Sequence, residues 1–117
     1  LLLQQDGAAS GLVGWKVENL VACTDDLYLD ARTPAAPAIK ALIEAVENAS
    51  RELQCEISLL FLKPPYPAEV FKGLGYEPRS AASLGVRAWQ EAAAEALPSG
   101  AEMLFKQLRQ DRVLRPV

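Results

Sequence analysis

The groups in this chain that can move a proton are carboxylates and tyrosines, because its 117 residues include no histidine. Histidine is the commonest general base at neutral pH and the commonest zinc ligand, so its absence removes the easiest route to either role. Ser58, Ser80, Ser83 and Ser99 have no imidazole to activate them, which excludes hydrolysis of the Ser-His-Asp type. No carboxylates stand at metal-ligand spacing, and no metal is expected. Glu18, Asp25, Asp26 and Asp30 lie in or beside strand-like runs, where a carboxylate can serve as a general base. Asp30 is opposite in parity to Leu29, so it leaves its strand on the other face and is the candidate base. The remaining chemical feature is a helix start. Thr33-Pro34-Ala35-Ala36-Pro37 precedes a helical run, and backbone N–H groups at such a start make an anion seat.

The elements that must position these groups read as follows. Leu1 to Gln5 is apolar and gives way to the turn pair Asp6-Gly7. Leu12 to Ala22 has strand character, with Val13, Trp15 and Val17 on one parity, and Gly14 marks a bulge. Two such runs around a glycine-containing turn predict a hairpin, which Asn19 ends or kinks. Thr24-Asp25-Asp26 reads as the next turn and Leu27 to Ala31 as a short strand. Pro37 suits the first helical position, where no N–H is needed. Ile39, Leu42, Ile43 and Val46 follow a helical period, with Lys40, Glu44, Glu47 and Arg51 on the solvated side.

Glu56 to Lys63 is almost continuously apolar, as a central strand buried on both faces requires. Strand, helix and strand then form a βαβ unit with a right-handed crossover. Ala68 to Leu74 is a short helix stopped by Gly75. Ser83 is placed to cap a helix over Leu84 to Leu97, with Val86, Trp89, Ala93, Ala96 and Leu97 on its buried side. Glu102 to Leu108 is the last strand. Trp15 and Trp89 read as core or interface anchors. With no repeats and no low-complexity linker, the chain reads as one domain.

Bulk composition narrows the class further. Half of the residues are hydrophobic, 23% are charged and the net charge is −3, which suits a globular domain and gives no nucleic-acid footprint. Cys23 and Cys55 stand singly in apolar runs and read as buried free thiols. No apolar run is long enough to span a membrane, so a cytoplasmic protein is expected.

The order of these elements resembles the GCN5-related N-acetyltransferase (GNAT) family. Leu27 to Arg32 followed by Ile39-Lys40-Ala41-Leu42-Ile43-Glu44-Ala45 is similar to the family's acetyl-CoA strand and the helix after it. Ile57 to Leu62 resembles the strand that splays from the first to open the cofactor cleft. Gly73-Leu74-Gly75-Tyr76 resembles the family's terminal Leu-Gly-Phe, and Met103 to Leu108 its closing strand. The match covers roughly Leu12 to Leu108 and starts near the family's second strand, without the first strand and first two helices.

That resemblance implies an α/β fold with a mixed, mainly antiparallel sheet flanked by helices, and an acyl-CoA-dependent N-acetyltransferase. It places acetyl-CoA against Leu29, Ala31, Ala35, Ala36, Ala38, Ile39 and Lys40, and a small amine or a protein as acceptor. Asp30 would then take the amine's proton. The family's phosphate loop is Arg/Gln-x-x-Gly-x-Gly/Ala, whereas the aligned residues here are Pro34-Ala35-Ala36-Pro37-Ala38-Ile39, with no glycine and two prolines. The family's acid tyrosine falls on Phe71, so Tyr66 or Tyr76 would have to replace it. These departures support a second expectation, a degenerate GNAT-like module without catalysis that binds a partner or forms a homodimer to cover exposed sheet.

Overall fold

The computed structural model describes residues 2–5, 8–29, 34–97 and 100–109, with side chains described from Gly11 onward except at Leu12 and Asp26. Within these residues the order is β1 (Leu2–Gln5), β2 (Ala8–Glu18), β3 (Val21–Leu29), α1 (Ala35–Glu52) and β4 (Ile57–Leu62). It continues with α2 (Ala68–Gly73), β5 (Glu77–Pro78), α3 (Arg87–Ala96) and β6 (Glu102–Gln107). The strands make one sheet in the order β1-β2-β3-β4-β6-β5. Only β3 and β4 run parallel; the other neighbours are antiparallel. This is the expected mixed, mainly antiparallel α/β fold, and α1 is the crossover of its βαβ unit.

Both faces of the sheet are covered at β4, which explains why that strand is apolar at every position but Ser58, whose Oγ lies 2.8 Å from the Tyr76 hydroxyl. Ile57, Leu59 and Phe61 pack with Val21, Cys23, Met103 and Phe105 against Trp89, Ala92 and Ala93 of α3. Leu60 and Leu62 pack on the other face against Ile39 and Ile43 of α1 and Phe71 of α2. Both cysteines are buried free thiols, and burial pushes the Cys23 thiol up to about 11. The Trp89 indole donates to Glu56 at 3.1 Å and the Trp15 indole to Ser50 Oγ at 3.1 Å, so each tryptophan anchors a helix or loop to the sheet.

Several boundaries differ from the sequence reading, each for a tertiary reason. Thr24, Asp25 and Asp26 are strand, not turn. The reversal lies at Asn19 and Leu20, both with positive φ (51° and 65°), and Val21–Thr24 is held on both sides by β2 and β4. α1 begins at Ala35, so Pro37 sits inside its first turn, still without disturbing an intrahelical bond. Ser83 belongs to a short 3₁₀ turn, Ala81–Ser83, and α3 starts after Val86 with no side-chain cap. Leu97 is exposed, past the end of α3. Glu47 is buried at 5% exposure, inside the core instead of on the solvated side of α1. Gly75 does stop α2, with φ +96°.

Candidate functional site

The site follows from one extra residue in β3. In the β2–β3 ladder Trp15 opposes Thr24 and Gly14 opposes Asp25, but Leu12 opposes Tyr28. Val13 of β2 therefore spans both Asp26 and Leu27 of β3, which is a bulge. The sequence pointed to Gly14; the bulge lies on the partner strand, opposite its neighbour Val13. Its effect on side-chain direction is plain. Val21 and Cys23 pack toward α3, while Leu27 and Leu29, of the same parity, pack toward α1 and α2.

The bulge also parts the two parallel strands. β3 and β4 pair from Val21 with Ile57 to Thr24 with Leu60, and no further. Beyond that point β3 stays with β2, while β4 stays with β6 as far as Leu62 opposite Glu102. A bulged strand bends and twists, so one edge departs while the other runs straight. The result is a cleft of about 560 Å³. Leu27 and Leu29 line one wall, Phe61, Leu62 and Lys63 the other, and Ala35 and Ile39 of α1 close one end. Pro65, Tyr66, Pro67 and Ala101 form the rim, and Asp25 stands where the strands part.

Asp25 occupies space that only a glycine leaves open. A Cβ added at Gly14 would lie 2.5 Å from Asp25 Oδ1. The Tyr66 hydroxyl donates to the Glu102 carboxylate, tying the Pro64–Pro67 loop to the start of β6. That hydrogen bond, with burial and the carboxylate's charge behind it, pushes the phenol up to about 12. Its ring meets Phe71 edge-on, 6.0 Å between centroids. Tyr76 is in the core, its hydroxyl 2.8 Å from Ser58 Oγ and 3.0 Å from Glu47 Oε2, and burial foremost raises its pKa.

Beside the cleft, across the first turns of α1, lies a second groove of about 500 Å³. Ala36, Pro37 and Lys40 of α1 form one side; Glu69, Val70, Gly73 and Leu74 form the other. The residues singled out in the sequence therefore divide. Leu29, Ala35, Ile39 and Tyr66 line the cleft, and Ala36 and Lys40 line the groove. Ala38 is buried, and its N–H is spent on the Pro34 carbonyl at 3.3 Å. Asp30 and Ala31 lie outside the described residues. Lys63, and Glu102 as the partner of Tyr66, were not legible in the sequence, since only the splay brings β4's end, the proline loop and β6 together. Among the described residues no cluster of three metal-ligating side chains occurs, and no helix is long and apolar enough to cross a membrane.

No protein-family model matches the sequence, and no curated protein matches it. Solved structures do match in shape. N-acetylglutamate synthase of Neisseria gonorrhoeae, in complex with coenzyme A and N-acetyl-glutamate, superposes at TM-score 0.69 with 14% identity, over 93% of this chain and 25% of that one. The PaiA N-acetyltransferase of Thermoplasma acidophilum, in complex with coenzyme A, gives 0.65 and 12%, over 89% and 57%. An acetyltransferase of the GNAT family from Staphylococcus aureus gives 0.67 and 12%, over 92% and 65%. This chain thus spans about a quarter of the first protein and under two thirds of the other two. At these identities the likeness establishes the fold, and that fold is the GNAT fold.

Proposed function

We propose that this GNAT-fold chain transfers an acyl group from an acyl-CoA-type thioester to an amine, with the thioester seated between β3 and β4. The observation that carries this reading is the bulge at Asp26 and Leu27. It opens the sheet at its one parallel pair and leaves two strand edges facing each other across an apolar cleft. An extended donor bearing amides can hydrogen-bond to both edges, as a strand would. The solved structures of the same fold that contain coenzyme A support the same ligand class.

The chemistry divides among few groups. The amine nitrogen attacks the thioester carbonyl carbon; a C–N bond forms, the C–S bond breaks and the thiolate leaves. Backbone N–H groups on the β3 edge near Leu29 polarise the carbonyl, the usual largest contribution to acyl transfer. Asp25, at the floor of the cleft, takes the amine proton, a role that Asp30 beyond the end of β3 would share or replace. Tyr66 orients the loop and contributes little as an acid. Its phenol, pushed up to about 12, is weaker than a thiol of roughly 8.5, so protonation of the thiolate by Tyr66 is uphill.

The test is release of free thiol from acetyl-CoA in the presence of a panel of small amines and N-terminal peptides. Amine-dependent release supports the transferase. Its absence with every acceptor favours the second reading, a non-catalytic GNAT-fold module for a partner or a second copy. That reading is favoured by Phe71, 1% exposed and without a proton to give, and by Pro37 in the first turn of α1. α3 already covers the sheet face over β3, β4 and β6, so a dimer is not needed to cover that surface.

A further inference from the structure

We propose that Lys63 is a site of self-acylation, its Nζ taking the acyl group from a thioester bound in the same chain's cleft. This rests on the transferase reading and goes beyond it by naming an acceptor within the chain.

The chain's lysines are Lys16, Lys40, Lys63, Lys72 and Lys106, and they stand in different surroundings. Lys106 is committed to Glu47, with Nζ 2.9 Å and 3.1 Å from the two carboxylate oxygens. Lys40 borders the groove along α1. Lys16 lies within β2 opposite Cys23, and Lys72 is in α2. Lys63 is the lysine that lines the cleft. It follows Leu62, the last residue of β4, and is exposed to solvent.

Register sets Lys63 level with the end of β3. Thr24 pairs with Leu60, the last rung of the parallel ladder. Counted onward, Asp25 stands level with Phe61, and the bulge residues Asp26 and Leu27 take one step against Leu62. Tyr28 is then level with Lys63, one residue short of Leu29, where the β3 edge polarises the thioester carbonyl. The lysine stem is long and flexible, so its amine reaches toward a thioester lying between the two edges. A nucleophile tethered to the cleft wall meets the carbonyl without the entropy cost of a bimolecular encounter.

The step balances with the thioester as the only co-reactant. The ammonium gives one proton to water, and the neutral Nζ attacks the thioester carbonyl carbon. The C–N bond forms and the C–S bond breaks. The nitrogen's surplus proton passes through solvent to the thiolate, which leaves as a thiol, and nothing is oxidised or reduced. The product is an uncharged amide, so the cleft loses that cation while Asp25 keeps its carboxylate.

Mass spectrometry of the whole chain incubated with acetyl-CoA tests this, with the acetylated lysines located by peptide mapping. Lys63 should gain its acetyl group at least about tenfold faster than Lys16, Lys40 and Lys72, which are exposed and report the background reaction of amines with a thioester. The rate per chain should not depend on chain concentration, and the preference should vanish in urea. Lys63→Arg keeps the charge and should lose the singly acetylated product. Persistence of that product at the parent rate overturns the proposal. So does a Lys63 rate no higher than that of the other exposed lysines, or one that rises with chain concentration. If added amines still release thiol in those cases, the transferase reading stands; if they release none, both fall. Preference for Lys63 without release to any added amine supports the proposal and limits the acceptor to the chain itself.

Discussion

Lys106 Nζ stands 2.9 Å from Glu47 Oε1, which ties the last strand of the sheet to the C-terminal half of α1. Glu47 also accepts from the Tyr76 hydroxyl at 3.0 Å and from Arg51 at 3.3 Å. The Lys106 ammonium lies 5.6 Å from the centre of the Tyr76 ring, and Tyr76 reaches Ser58 of β4. This network joins α1, β4 and β6 beneath the sheet. Because the first turn of α1 closes one end of the cleft, the network also fixes where that wall stands.

Removing the cation should therefore cost stability. Lys106→Met leaves the buried Glu47 with only the more exposed Arg51 opposite its charge. We expect a loss of roughly 3 kcal/mol, the lower end for a broken buried pair, because the Lys106 side chain keeps 24% of its surface in water. Urea unfolding of the two proteins measures it. A change under about 0.5 kcal/mol would show that solvent already compensates Glu47.

Thr24 gives the opposite expectation. Its Oγ1 is buried and has no hydrogen-bond partner among the described residues, at the last β3–β4 pair before the cleft. A buried hydroxyl without a partner costs about 1–3 kcal/mol. Thr24→Val keeps the shape and removes the hydroxyl, so the variant should unfold at higher urea by about 1 kcal/mol. Destabilisation would mean that this oxygen has a partner in solution.

The Tyr66 phenol carries a pH signature. Its pKa lies above the unfolded value of 10, at about 12, chiefly because it donates to Glu102. The folded state thus holds a proton that the unfolded state has lost between pH 10 and 12, and stability falls as pH rises through that window. Below pH 10 both states hold the proton, and the contribution is complete. Glu102→Gln should lower the Tyr66 titration toward 10, seen in the difference of phenolate absorbance between the two proteins. An unchanged titration would show that the rim hydrogen bond is absent in solution.

The Gly14–Asp25 contact separates stability from chemistry. Gly14→Ala puts a Cβ where Asp25 Oδ1 now lies, 2.5 Å away, and the flexible carboxylate can swing aside at small cost. Stability should change by less than about 1 kcal/mol. If Asp25 takes the amine proton, Asp25→Asn should lower kcat by roughly 100-fold and Gly14→Ala by less, both with KM for the thioester little changed. Full activity in Asp25→Asn would move the base elsewhere.

Much of the architecture was legible because it rests on local patterns. The almost continuously apolar run from Ile57 to Leu62 announced a strand buried on both faces, and Gly75 announced the end of α2. What escaped was decided across the sheet. Glu47 looked solvated because its partners Lys106 and Tyr76 are distant in sequence. Thr24-Asp25-Asp26 looked like a turn because its composition is polar, whereas β2 pairs with Thr24 and Asp25, β4 pairs with Thr24, and Asp26 continues the strand as part of the bulge. The candidate site was half visible: Leu29, Ala35, Ile39 and Tyr66 were named from the resemblance, and all line the cleft. Asp25 was one carboxylate among four until the bulge placed it where the strands part.

The central claim is that the bulge-opened gap between β3 and β4 holds the donor thioester. The most direct measurement is a titration of the isotopically labelled chain with acetyl-CoA, followed by amide chemical shifts. The account predicts saturable changes at Leu27, Leu29, Ala35, Ile39, Leu62 and Lys63, the two strand edges and the helix start that face the cleft. Changes confined to other surfaces, or none at millimolar acetyl-CoA, would contradict it.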